Sequence, residues 1–322
     1  MNNYEPADFS GARTYSVHDR PTKVRDEDFF QLADTDPTLT QFLDSLPHIL
    51  KADDLRAVVT AIVRAKALDK PVIVGMGGHV IKCGLAPLFV HLMETDIISG
   101  VLMNGGASIH DFEFAMFGRS SEDVASSLKT GMWGMVRETG ESMNAAIRAG
   151  AEQNWGMGKA LGAYLTANAA TFSAHSLLVN GVRTGTPVLV HIGIGADTIH
   201  MHASADGASL GKTSFTDFRI LVSLLMELGD GGVYLNIGSA VQLPEVFVKA
   251  LNLARNLSGK PIVDFVTVNM DMLQHYRPLE NVVRRPTQGD SGHGYSLTGH
   301  HEIMVPLLFQ LVLAKIEQDR LG

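Results

Sequence analysis

The stretch Pro71 to Asp111 constrains this chain most. It holds two short apolar runs, Val72–Val74 and Gly100–Met103, and each stops at a glycine cluster, Gly75-Met76-Gly77-Gly78 and Asn104-Gly105-Gly106. After each cluster the apolar spacing turns helical. Strand, glycine turn, helix, strand and glycine turn again is a βαβ unit, with free backbone N–H groups at both strand ends. Parallel strands of this kind need helices on both faces, so the unit commits the chain to a buried sheet.

The remaining sequence extends that unit. Residues 1–27 are polar, carry both charges and lack periodicity, and read as a flexible N-terminal arm. Residues 28–322 read as a single α/β domain. A helical pattern begins near Asp28, and Asp53 to Lys66 forms a helix with its acidic end first. Ser120-Ser121-Glu122-Asp123 is an N-cap signal, and about 120–182 reads as a helical insertion rich in Ala, Gly and Met. A second α/β half starts at Thr186. Strands are expected at Pro187–Ile194, Gly232–Gly238 and Pro261–Asn269, and helices at Thr213–Leu228, Leu243–Asn256 and Gly299–Asp319. Tyr276–Tyr295 reads as a long irregular loop, often a sign of function or contact. The fold class expected is α/β, with a doubly wound, mainly parallel sheet and helices on both faces.

Composition narrows the partners. With 26 basic and 34 acidic residues the net charge is −8, and no Lys/Arg run supplies a nucleic-acid footprint. The single cysteine, Cys83, rules out an internal disulfide or a thiolate-rich metal site and suits a reducing compartment. No apolar run approaches the ~18 residues that span a bilayer, and the N-terminus has no signal-peptide core. The expectation is a soluble, cytoplasmic protein with a small-molecule substrate and neither nucleic-acid nor membrane partner.

The polar residues at strand ends carry the chemistry. Gly75-x-Gly77-Gly78 is an incomplete dinucleotide fingerprint: Val80 stands where a third glycine belongs, and the second strand ends without an acid. Such turns bind phosphate or simply pack tightly. Asn104-Gly105-Gly106, followed by His110-Asp111, places side chains and N–H groups together in a crevice, although Asp111 could serve only as a helix cap. His200-Met201-His202 has the i, i+2 spacing that in a strand sends both imidazoles to one face. With Asp206, His191 or Asp197 it would make half a metal site, or else line a polar pocket. His301 and Glu302 open the last helix, where they face a crevice or merely suit the helix dipole. Arg284-Arg285 would hold an anion or sit in solvent, and Lys82 lies one turn into a helix.

Taken in order, these segments resemble the deoxyhypusine synthase superfamily. The carriers are VIVGMGGHVIKCGL and VLMNGGASIHDFEFAMFG, then PVLVHIGIGADTIHMH leading to TDFRIL, GGVYLNIGSAV, RPLENV and the PLL of the last helix. The resemblance implies an NAD-binding α/β fold that assembles as a homotetramer. It places Gly75, Gly77, Gly78, Asn104, Gly105, Gly106, Asp111, Gly238 and Ser239 at the cofactor crevice. The family's nucleophilic lysine is missing, since Val283-Arg284-Arg285-Pro286 stands in its place, and Ser239–Glu245 lacks the family's histidine pair. The expectation is therefore an NAD-dependent transferase or oxidoreductase acting on a small amine- or hydroxy-bearing metabolite. It would not be a true deoxyhypusine synthase, and His110, His200, His202, His301 and Glu302 are the candidate catalytic residues. Two other readings stand beside it: a metal-dependent hydrolase or lyase built on His200 and His202, and a non-catalytic ligand-binding protein.

Overall fold

The computed structural model of the chain describes Arg13, residues 37–289 and residues 291–321. Nearly all of the expected N-terminal arm therefore lies outside the described residues. Two helices lead in, α1 (Leu39–Ser45) and α2 (Leu50–Ala67), the first closed by a capping box between Thr38 and Gln41. The βαβ unit follows as β1 (Val72–Met76), α3 (Gly78–Lys82), α4 (Ala86–Glu94) and β2 (Gly100–Asn104).

Between β2 and β3 (Val188–His191) lie α5 (Gly105–Phe117), α6 (Val124–Lys129), α7 (Arg137–Glu152), α8 (Met157–Ala167) and α9 (Leu177–Thr184). The chain then runs through α10 (Gly207–Met226), β4 (Val233–Ile237), α11 (Gln242–Leu257), β5 (Val266–Asp271), the short α12 (Tyr276–Pro278), β6 (His293–Thr298) and α13 (His301–Leu321). Among the described residues no helix is long and apolar enough to cross a membrane.

The six strands form one sheet in the order β3-β2-β1-β4-β5-β6, and every neighbouring pair is parallel. Strand alternation splits the core. Val72, Val74 and Met76 join the cluster beneath α2, α4, α5 and α13, whereas Ile73, Leu102 and Tyr234 join the one beneath α10 and α11. Both faces are covered, as the βαβ pattern demands. The strand order reverses between β1 and β4, the position where folds of this kind open a crevice beyond the strand ends.

The long irregular segment proves more ordered than its sequence suggests. Residues 279–284 form a π-helical turn, 285–287 a 3₁₀ turn, and His293–Thr298 the edge strand β6. An edge strand needs little apolar patterning because one side has no partner, so HGYSLT gave no strand signal. Arg284 and Arg285 bond to Glu280 and Asn281 within the same turns, and both side chains remain more than half exposed.

One buried carboxyl ties the insertion to the sheet. Asp217 of α10 accepts from the backbone N–H of Gly158 (3.0 Å) and of Val190 (2.8 Å), joining α8 to β3. Burial outweighs these bonds and pushes its pKa up to about 7, from 3.8. In the unfolded chain the group ionises near 3.8, so ionisation opposes folding. Its stabilising contribution is complete below about pH 4 and is lost as pH rises through 7. Asp217→Asn keeps an acceptor oxygen and removes the titration, so the fall in thermal midpoint between about pH 4 and 7 should flatten. Thermal unfolding followed by circular dichroism across that range checks it.

Candidate functional site

A cavity of about 810 Å³ opens beyond the carboxyl ends of β2 and β3, within the size range of small-molecule and cofactor sites. One stripe of α5 forms its wall, because Gly106, His110, Glu113 and Phe117 recur at helical spacing on one face. Lys82 of α3, Arg119–Glu122, the Trp133–Val136 region and Ala196–Thr198 complete it. The cavity is acidic: Glu113, Glu122, Glu138 and Asp197 face only Lys82 and Arg119.

A proton path runs along this wall. Ser120 Oγ donates its one hydrogen to Glu113 Oε2 at 2.6 Å, so at 2.6 Å it accepts from His110 Nδ1–H. Thr139 Oγ1 donates to the other Glu113 oxygen at 2.9 Å, fixing the carboxylate. With Nδ1 thus protonated, His110 Nε2 carries the free lone pair. Burial depresses the His110 pKa, the Lys82 charge adds to that, and Glu113 opposes both. The imidazole is therefore held neutral and able to take a proton. Sequence reasoning named His110 but missed Glu113, Ser120 and Thr139. Glu113 was within reach, since it lies three residues along the same helix face.

Asp197 presses against the first turn of α5, where a Cβ on Gly105 would collide with its carboxylate. Its Oδ2 is buried without a partner, and burial pushes its pKa up to about 6. Asn104 caps the same helix, its Oδ1 accepting from Ala107 N–H at 2.9 Å.

The remaining expected residues do not converge here. Gly75 lies inside β1, backed by the Tyr234 hydroxyl 2.8 Å from where a Cβ would sit. A Cβ on Gly77 would collide with the Gly238 carbonyl, and one on Gly78 would press on Gly106 and His110. Ser239 Oγ accepts from Leu243 N–H and belongs to the start of α11. Asp111, expected at the cofactor, points the other way. Its buried carboxyl accepts from Ser176 Oγ (2.6 Å), Leu177 N (2.8 Å) and Leu178 N (3.1 Å), so it caps α9, and its pKa is raised by burial to about 6.

The histidine pair is also rearranged. Thr198–Met201 is a 3₁₀ turn and not a strand, so His200 and His202 diverge. His200 Nδ1 accepts from Gly195 N–H at 3.2 Å, while His202 Nε2 donates to the Gly134 carbonyl at 2.9 Å. His301 and Glu302 sit in a third place, with residues the sequence did not flag. His301 Nδ1 lies 3.1 Å from His79 Nδ1, and its Nε2 lies 3.7 Å from Asp271. Cys83 Sγ stands 3.3 Å from His79 and 3.7 Å from Glu302 Oε2. Burial and the neighbouring Glu302 push the Cys83 thiol up, which keeps it protonated.

These placements decide which groups the crevice can take. Helix N-termini hold phosphate oxygens through free N–H groups; at the α5 terminus the Asp197 carboxylate already lies against Gly105, which leaves Gly106. Gly106 is bare there, with only Asn104 Oδ1 within 4 Å of a built Cβ, at 3.7 Å. The β1/β4 switch point is closed instead, because the His301 ring fills the space over Gly238, 2.7 Å from a built Cβ. Among the described residues no group of three or more His, Cys, Asp or Glu is arranged to hold a metal ion.

No family model and no curated protein sequence matches the chain. Solved structures do. A candidate deoxyhypusine synthase from Entamoeba histolytica superposes with a TM-score of 0.50 at 10% identity, covering 87% of this chain and 95% of that one. A conserved candidate LOR/SDH protein from Methanococcus maripaludis S2 gives 0.49 at 12% identity, over 89% and 72%. AgrE, in a ternary complex with ornithine and NAD+, gives 0.49 at 13% identity, over 82% of this chain and 33% of AgrE. This chain thus spans about a third of AgrE. The first likeness establishes a shared α/β fold and nothing about chemistry.

The proton path makes a signed prediction. Glu113 is the one charge that raises the His110 pKa, so Glu113→Gln should lower that pKa further. Titration of the His110 ring resonances by NMR reads the shift; an unchanged or higher value contradicts the path.

Proposed function

We propose that this chain is an NAD-dependent enzyme that performs acid–base chemistry at His110 on a small amine- or hydroxy-bearing metabolite. The observation that carries the reading is the His110–Ser120–Glu113 path on the cavity wall beside Gly106. A neutral imidazole whose far nitrogen is tied to a carboxylate through a hydroxyl is suited to general-base work. His110 Nε2 would take the proton from the amine or hydroxyl of the metabolite. Ser120 and Glu113 would hold the resulting imidazolium in orientation. The acidic excess of the cavity favours an amine-bearing substrate over a carboxylate.

NAD, when bound, supplies the hydride acceptor. Gly106 and the α5 N-terminus are the residues that would hold its phosphate oxygens, a reading the shared fold supports. The second half of the crevice would need His301 to swing off Gly238. Deoxyhypusine synthesis itself is disfavoured, because Val283-Arg284-Arg285-Pro286 stands at the segment matched to the family's lysine. Assembly as a homotetramer belongs to the same reading.

Isothermal titration of the full chain with NAD+ tests the proposal. Binding is expected at or below millimolar concentration, and Gly106→Val should weaken it at least about tenfold, the scale of a ligand displaced from one contact. A Cβ there has only Asn104 Oδ1 within 4 Å, at 3.7 Å, and the thermal midpoint of the variant separates lost binding from lost folding. No binding by the wild-type chain at millimolar NAD+ or NADH would refute the reading.

A further inference from the structure

We propose that residues 121–136 form a hinged lid over the cavity, and that His202 is the positioning residue that latches it to the body of the protein. The lid is anchored weakly. No residue of α6 is buried, and Val124, Leu128, Met132 and Val136 are all large apolar side chains exposed by 41% or more. Segments with so few buried contacts open at low free energy compared with the fold around them.

Hinges stand where a lid needs them. Ser121 (φ 73°), Gly131 (φ 73°) and Gly134 (φ 72°) all adopt the left-handed conformation, and a Cβ on Gly131 would meet nothing within 4 Å. The two ends of the segment are joined where Glu122 Oε1 accepts from Gly134 N–H at 2.6 Å. The segment is also tied to the body at Gly134. His202 Nε2–H donates to the Gly134 carbonyl at 2.9 Å, while Gly134 lies against Thr198, whose Cγ2 would be 2.5 Å from a built Cβ.

His202 can hold this position because Gly140 of α7 leaves room for its ring; any Cβ there would overlap the imidazole. His202 does not line the cavity, whereas Trp133, Gly134 and Val136 do. The histidine that the sequence marks as catalytic therefore acts through Gly134, fixing Trp133 at the cavity wall and limiting access to His110. This geometry holds whether or not the occupant is NAD, so a failure to bind NAD leaves the latch standing.

The test uses the full chain and two readouts. Hydrogen exchange reports opening of amides 131–136. Carbethoxylation of His110 by diethyl pyrocarbonate, read by peptide mass spectrometry against the exposed His91, reports access to the cavity. In the wild type, amides 122–136 should exchange well ahead of those in α7, and His110 should label more slowly than His91. His202→Ala should raise both lid exchange and His110 labelling on the order of five- to tenfold, the scale of one hydrogen bond. In a Trp155→Phe background the Trp133 emission should shift to the red. His202→Gln, which retains a side-chain N–H, should reverse most of each effect. Equal lid exchange and equal His110 labelling in His202→Ala and wild type would overturn the proposal, as would faster exchange without faster labelling. Should the alanine variant not fold, wild-type lid amides as protected as those of α7 would overturn it equally.

Discussion

The close approach of Gly77 to the Gly238 carbonyl is the constraint on which this structure depends. The ladder continues one residue past each central strand: Gly77 N–H donates to Ile237 O at 3.0 Å, and Gly238 N–H donates to Met270 O at 3.0 Å. The two turns at the switch point are thereby pulled together until no side chain fits between them. Gly238, at φ 64°, turns the chain away and leaves a bare patch that the His301 ring covers. His301 therefore stands where folds of this kind open a crevice between β1 and β4. The cavity lies beyond the carboxyl ends of β2 and β3, with α5 as its wall.

Buried polar atoms show where the fold carries a cost that packing does not offset. Asp111 and Asp217 are deeply buried, yet each carboxyl accepts backbone N–H bonds and ties two elements together. Asp197 Oδ2, His200 Nε2, His191 Nε2, Asn236 Oδ1 and His301 Nε2 are buried without a hydrogen-bond partner, His301 Nε2 having only Asp271 at 3.7 Å. Each such group costs about 1–3 kcal/mol relative to a satisfied one. These five lie near the carboxyl ends of β3, β4 and β5, whereas Arg56 Nε, Asn144 Oδ1, Tyr234 Oη and Thr267 Oγ1 lack a hydrogen-bond partner elsewhere among the described residues. The contrast separates structural acids from site acids better than residue type does.

Much of the fold was legible because it follows from local periodicity. The runs at Val72 and Gly100 each end in glycines, and that pattern admits parallel strands with crossover helices and little else. β6 was not legible: HGYSLT has neither an apolar run nor clean alternation, and it becomes a strand only because β5 offers it an edge. Within the site, His110 was legible from its place after a glycine turn. Its partnership with Ser120 needed the chain to leave α5, pass Gly118 and fold back, a path that spacing does not encode.

Acting alone, the sequence determined the α/β class, the parallel sheet, the glycine turns at the strand ends and the set of polar residues gathered near them. Period and turn chemistry are local properties, so they survive in one dimension. Only the tertiary structure decided which of those residues share a space. It sent Asp111 to the start of α9, parted His200 from His202 by ending a 3₁₀ turn between them, and set His301 over Gly238. It also brought Glu113, Ser120 and His110 into one line. Side-chain direction depends on the backbone beneath and on the neighbours packed against it, and both are settled only when the sheet and its covering helices come together.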